Sequence, residues 1–124
     1  MSEKVYTTNA PDAIGPYSQA VKVNGLVFTS GQIAINPVTG SVEETTIEGQ
    51  TEQVMKNLKA VLEASGSSLE KAVKTVCFLA DMNDFAAFNE IYGKYFTGKP
   101  ARSCVAVKTL PKDVLCEVEV IAEY

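Results

Sequence analysis

Three side chains with chemical potential lie near the end of the chain: Arg102, Cys104 and Glu117. They stand inside or at the edge of two runs of small and β-branched residues, Ser103 to Val107 and Val114 to Ala122. Leu110-Pro111-Lys112-Asp113 separates the runs, a pattern that predicts two strands joined as a hairpin. An arginine beside an apolar run must meet an anion or reach water, because an unpaired buried charge is strongly disfavoured. That anion is either a carboxylate of the protein or the carboxylate of a small ligand. Composition alone favours the first, since structural ion pairs imitate sites. Glu119 lies two residues beyond Glu117 and shares its strand face, so spacing does not separate the two acids.

What the chain lacks narrows the chemistry further. It contains no histidine, so Ser-His-Asp, Cys-His and His-ligated metal sites are excluded within one chain. A general base must then be Asp, Glu, Lys, Tyr or Cys, with a shifted pKa or a positioned water. Without a histidine to depress its pKa, the Cys104 thiol reads as a small wall residue rather than a nucleophile. The net charge of −4 offers no basic footprint for nucleic acid. No apolar run approaches the roughly 20 residues that span a bilayer, so no membrane partner is expected. Met1-Ser2-Glu3-Lys4 carries no charged-then-apolar leader, and Cys77, Cys104 and Cys116 are odd in number and far apart. Free thiols and a cytoplasmic location are the expectation. At 124 residues the chain is read as a single domain, 1–124.

The elements that must position these residues follow from periodicity. Val5 to Thr8 reads as a short first strand. Asn9 to Pro16 is dense in breakers and delivers Tyr17-Ser18 as a loop. Ala20 to Ser30 is a hairpin about Asn24-Gly25. Ile47 to Ser65 is a helix with Val54, Leu58, Val61 and Leu62 as its apolar stripe, extended by Ile47 and Ala64. Thr45 or Thr46 caps it, Gly66 ends it, and Glu52, Lys56, Lys59 and Glu63 form a solvated face. A strand, Ala72 to Ala80, precedes a second helix, Asp84 to Phe96. The aromatic stripe of that helix (Phe85, Phe88, Tyr92, Tyr95-Phe96, with Ile91) is read as packing, not as a cofactor box. About six strands and two helices give an α+β, two-layer fold with the helices on one face. Both sheet faces look apolar, so another copy of the chain is expected to cover the second.

Five segments in order resemble one family: Gly15-Pro16-Tyr17-Ser18-Gln19-Ala20; Phe28-Thr29-Ser30-Gly31-Gln32; Asn57-Leu58 with Val61-Leu62 and Ser65-Gly66; Phe85, Phe88-Asn89, Tyr92 and Tyr95-Phe96; and Pro100-Ala101-Arg102-Ser103-Cys104-Val105. Together they resemble the Rid (YjgF) reactive-intermediate deaminases, nearest to the RidA-type 2-iminobutanoate/2-iminopropanoate deaminases, from Val5 to Ala122. The resemblance implies a chorismate-mutase-like fold, a homotrimer with clefts between subunits, and hydrolysis of enamine/imine intermediates to 2-keto acids and ammonia. It implies that Arg102 binds the substrate carboxylate, that Glu117 positions water, and that Tyr17, Ser30, Gly31, Asn89 and Cys104 line the site. Cys116 departs from the aliphatic residue usual before the acid, which touches packing rather than chemistry.

The implied chemistry needs no metal or organic cofactor. A guanidinium fork holds a carboxylate by two parallel hydrogen bonds and so orients the adjoining C=N, as lysine would not. Each lining residue also has a plainer reading: Tyr17 as a loop closure, Ser30 as a local hydrogen-bonder, Asn89 as a helix surface residue. Burial would raise the pKa of Glu117 and a nearby Arg102 would lower it. If Arg102 and Glu117 do not share a face, the site must be built across subunits. A non-catalytic small-molecule-binding trimer is the alternative. Ribonuclease or chaperone-like activity stands behind it, weakened by the acidic balance and the missing histidine.

Overall fold

A computed structural model describes residues 1–124. Its strands are β1 (Glu3–Val5), β2 (Ala20–Val23), β3 (Leu26–Thr29), β4 (Ala72–Leu79), β5 (Ala101–Ala106) and β6 (Cys116–Glu123). They form one sheet in the order β1-β2-β3-β6-β4-β5, crossed by helices α1 (Ile47–Ala64) and α2 (Phe85–Tyr95). β2 and β3 close on Asn24-Gly25, both at positive φ (51° and 82°), as a two-residue hairpin requires. β1 begins and ends earlier than the sequence suggests, because Thr7 and Ala10 already belong to the loop that Gln19 stitches together.

The last two strands correct the sequence reading. β5 and β6 are not a hairpin: β4 lies between them, antiparallel to β6 and parallel to β5. β4, α2 and β5 make a parallel crossover unit, which needs an intervening helix, and α2 supplies it. The Pro111–Asp113 segment is one 3-10 turn within a longer connection, not a tight turn between neighbours.

α1 starts where the Thr46 side chain accepts the Gly49 N–H, 3.1 Å. It lays Val54, Met55, Leu58, Val61 and Leu62, all fully buried, against Cys116, Val118, Val120 and Ala122 of β6. Each such side chain contributes about 1.5–3 kcal/mol by leaving water. Ala64 does not extend this stripe, as it faces solvent in the last turn. Glu52 is not on a solvated face either; it is half-buried and accepts the Tyr95 hydroxyl, tying α1 to α2. The two helices share one face of the sheet.

The other face is less apolar than the sequence implies. Phe28, Ile121, Val76, Phe78 and Val105 alternate there with Lys74, Glu119 and Glu117. β6 is wholly apolar on its helix side alone; on its outer side Ile121 stands among carboxylates. Phe28 and Val105 remain 40% and 47% exposed.

Candidate functional site

Register decides where each reactive side chain points. Arg102 pairs with Thr75 and Cys104 with Cys77, and Thr75 and Cys77 are fully buried beneath the helices. Arg102 and Cys104 therefore lie on the helix face. Glu117 pairs with Phe78, one step out of phase, and lies on the opposite face. The candidate residues divide into two groups separated by the sheet.

The first group surrounds Arg102. Its Nη1–H donates to Asn89 Oδ1, 2.7 Å, and no other side chain hydrogen-bonds to it. The guanidinium carbon sits 4.8 Å over the Tyr92 ring and 5.5 Å over Phe85. The partner that composition favoured, a protein carboxylate, is replaced by a neutral amide and two ring faces. Arg102 thus keeps its charge and most of its five N–H donors uncommitted. It borders an open concavity with Tyr92, Gly93, Phe96, Thr97 and Lys99. Cys104 is half-buried; burial raises its thiol pKa and the Arg102 charge only partly offsets this, in keeping with a wall residue. The Val107 N–H donates to Leu79 O, and with the parallel alternation this turns the N–H and C=O of Arg102 and Cys104 away from β4, off the sheet edge.

The second group surrounds Glu117. A cavity of about 290 Å³ is lined by Ile14, Tyr17, Ser30, Gly31, Ile33 and Glu117, among others. Glu119 does not reach it, which separates the two acids that spacing leaves equivalent. Burial first, and the Glu119 charge second, push the Glu117 pKa above its usual range. Arg102, on the far side of the sheet, does not oppose that shift. Gly31 is needed for close approach: a methyl built there would overlap the Glu117 carboxylate and fall 2.8 Å from its Cδ. Gly31 is held at this spot because Gln32 exchanges backbone hydrogen bonds with Val118, 2.9 and 3.2 Å.

The remaining lining residues are placed by the loop before β2. The Ser30 hydroxyl donates to Ser18 O, 2.6 Å, so its first duty is to clasp that loop. Tyr17 is 48% exposed, and its hydroxyl accepts the Ile14 N–H, 3.2 Å. Buried Gln19 donates to the carbonyls of Thr7 and Pro11 and accepts the Thr7 N–H. Asn57 of α1, also buried, donates to the carbonyls of Ile33 and Ile35 and fixes the far wall. In the sequence, Gln19 and Asn57 stand out only as members of the family segments, with no role assigned to either. A buried amide inside a breaker-rich loop or on an apolar helix stripe is the signal that would have found them.

Nowhere do three His, Cys, Asp or Glu side chains gather as a metal site. No helix is long and apolar enough to cross a membrane. What the geometry offers is a guanidinium with uncommitted donors on one face and a carboxyl of raised pKa lining a cavity on the other. No single copy can bring them to one substrate through its own sheet.

The chain is similar to known proteins along nearly its whole length. The endoribonuclease L-PSP family model matches residues 7–124. A RutC family protein of Pyrococcus horikoshii is 53% identical over 98% of each chain. A 2-iminobutanoate/2-iminopropanoate deaminase of Salmonella typhimurium is 48% identical, again over 98% of each. A solved Rid-family structure from Yersinia pestis superposes with a TM-score of 0.97 at 50% identity, covering 100% of both chains.

Proposed function

The chain belongs to the endoribonuclease L-PSP family, the Rid (YjgF/RutC) proteins, and on that premise we propose that it hydrolyses 2-imino acids to 2-keto acids and ammonia without a cofactor. The observation that carries this reading is Arg102, a guanidinium whose protein partner is a neutral amide. A cation held in this way suits a carboxylate that arrives with the substrate.

In this mechanism Arg102 takes the carboxylate of the imino acid in a two-pronged grip and fixes the plane of the adjoining C=N. Glu117, supplied by a neighbouring copy, accepts a proton from water as the water oxygen bonds to C2 and the C=N π pair moves to nitrogen. The same carboxyl then returns the proton to the amine. As the C2–N bond breaks and its electron pair leaves with nitrogen, the carbinol O–H gives up its proton through the carboxylate to that nitrogen, the carbonyl forms and ammonia leaves. A carboxyl whose pKa is raised toward the working pH serves both steps better than an ordinary one. The outward backbone N–H and C=O of Cys104 are placed to meet the substrate nitrogen and its protons. A closed homotrimer supplies the two halves, with one protomer's β5 edge set against the next protomer's Glu117 cavity.

Complementation tests this directly. Arg102→Ala and Glu117→Gln are each expected to lose nearly all activity toward freshly generated 2-iminobutanoate. Dissociated, mixed in equal amounts and reassembled, they should recover about a quarter of the wild-type rate, because each mutant supplies the half the other lacks. A site within one subunit would recover nothing. Wild-type ammonia release no faster than the spontaneous reaction, with 2-keto acid still bound, would favour the regulatory binder instead.

A further inference from the structure

Resting on that reading of Arg102, we propose that Tyr92, locked by Thr75, is a positioning residue: its ring is the platform that orients Arg102 for the substrate carboxylate. Periodicity alone assigns Tyr92 to the core, and it is indeed 8% exposed. It differs from its neighbours in the stripe in what touches each side. Its ring stacks on Phe96 at 4.7 Å between centroids and contacts Phe88 at 5.7 Å, so packing fixes its position. Its hydroxyl shares a 2.7 Å hydrogen bond with the hydroxyl of fully buried Thr75, which fixes its tilt. Thr75 is the residue directly opposite Arg102 in the β4–β5 ladder. One strand pair thus carries both the guanidinium and the anchor of the ring on which it lies, closing a loop Arg102–Tyr92–Thr75.

A guanidinium lies flat against a ring face, and its edge then presents the N–H fork. Asn89 engages one donor at that edge and sets the rotation. The platform and the amide together hold the fork at the edge of the concavity it borders. A side chain as long as arginine otherwise loses considerable rotamer entropy on gripping a ligand, so a preset fork binds more tightly. This role acts on carboxylate affinity and leaves proton transfer at Glu117 untouched.

The test uses the assembled full-length protein, with 2-ketobutanoate binding measured by calorimetry and turnover of freshly generated 2-iminobutanoate measured separately. Tyr92→Leu should raise both Kd and KM about tenfold, the size of one partly desolvated cation–π contact, with kcat within about twofold. Tyr92→Phe keeps the ring and should restore affinity to within about twofold or threefold, even though the orphaned Thr75 hydroxyl lowers its melting temperature. Thr75→Val should weaken binding about threefold. A purely structural role would lower Tm in all three variants and leave Kd and KM alone. A folded Tyr92→Leu with wild-type Kd and KM overturns the proposal. Should that variant not fold, wild-type affinity in Thr75→Val overturns it equally. Binding that follows this pattern without any wild-type turnover would sustain the platform and remove the deaminase reading. Absence of wild-type 2-ketobutanoate binding would remove both.

Discussion

The two halves of the candidate site are built by opposite means. Arg102 is held by a packed helix: a ring beneath it, an amide beside it, and a buried strand partner at Thr75. Glu117 projects from β6 into a pocket walled largely by loops: Gly31 yields it space, the Ser30–Ser18 clasp and Gln19 hold the segment carrying Tyr17, and Asn57 of α1 fixes the far wall. The positive half rests on core packing and so has its orientation set by the fold. The negative half rests on hydrogen bonds that pin loops to one another and to α1, with a cavity and a shifted pKa. The contrast teaches that gripping an anion calls for rigid geometry, whereas activating water calls for space and poor solvation.

Mutation should break the two halves in different ways. The largest effect is expected from Arg102→Ala, which should lower kcat/KM by at least about a thousandfold and abolish 2-ketobutanoate binding in calorimetry. Arg102→Lys should restore little, because charge without the fork does not orient the C=N. Glu117→Gln comes next. It should keep carboxylate affinity within about threefold while kcat falls by about a few hundredfold, within the range for removing a general base. Equal loss of both quantities would erase the distinction between the halves. Gly31→Ala should push the Glu117 carboxyl aside and cost about tenfold or more in kcat, with Kd unchanged.

The smallest effect concerns pH and stability. Glu117 has a raised pKa in the fold, so the folded chain holds that proton more tightly than the unfolded one. Its contribution is most favourable below the ordinary carboxylate pKa and is lost as pH rises through the raised value. Thermal melting should therefore find Glu117→Gln slightly more stable than wild type at neutral pH, with the gap closing on acidification. The activity of the wild type should rise with pH through that same raised value.

Much of this was legible in the sequence because it is local. The α1 stripe, the Asn24-Gly25 hairpin and the Thr46 cap are each written within a few residues. The strand order was not legible. Pro111 and Asp113 carry turn chemistry, yet nothing nearby shows that β4 will insert between β5 and β6. That one long-range pairing also fixes which face Arg102 takes, so alternation along β5 could not show it to be out of phase with Glu117. Likewise, the spacing that marks Phe85 and Tyr92 as core is real, but it does not report that a cation lies on the outer side of their rings.

β5 is the last strand of the sheet, and an unpaired strand is an invitation to unwanted zippering. Here the same stretch carries Arg102, the proposed anion grip. Lys99-Pro100 stand before it and Lys108 shortly after, while Arg102 points a charge inward from the rim, all devices that discourage a stranger's strand from pairing there. On the proposed reading, protection against aggregation and readiness for a ligand are served by one guanidinium at one border of the molecule.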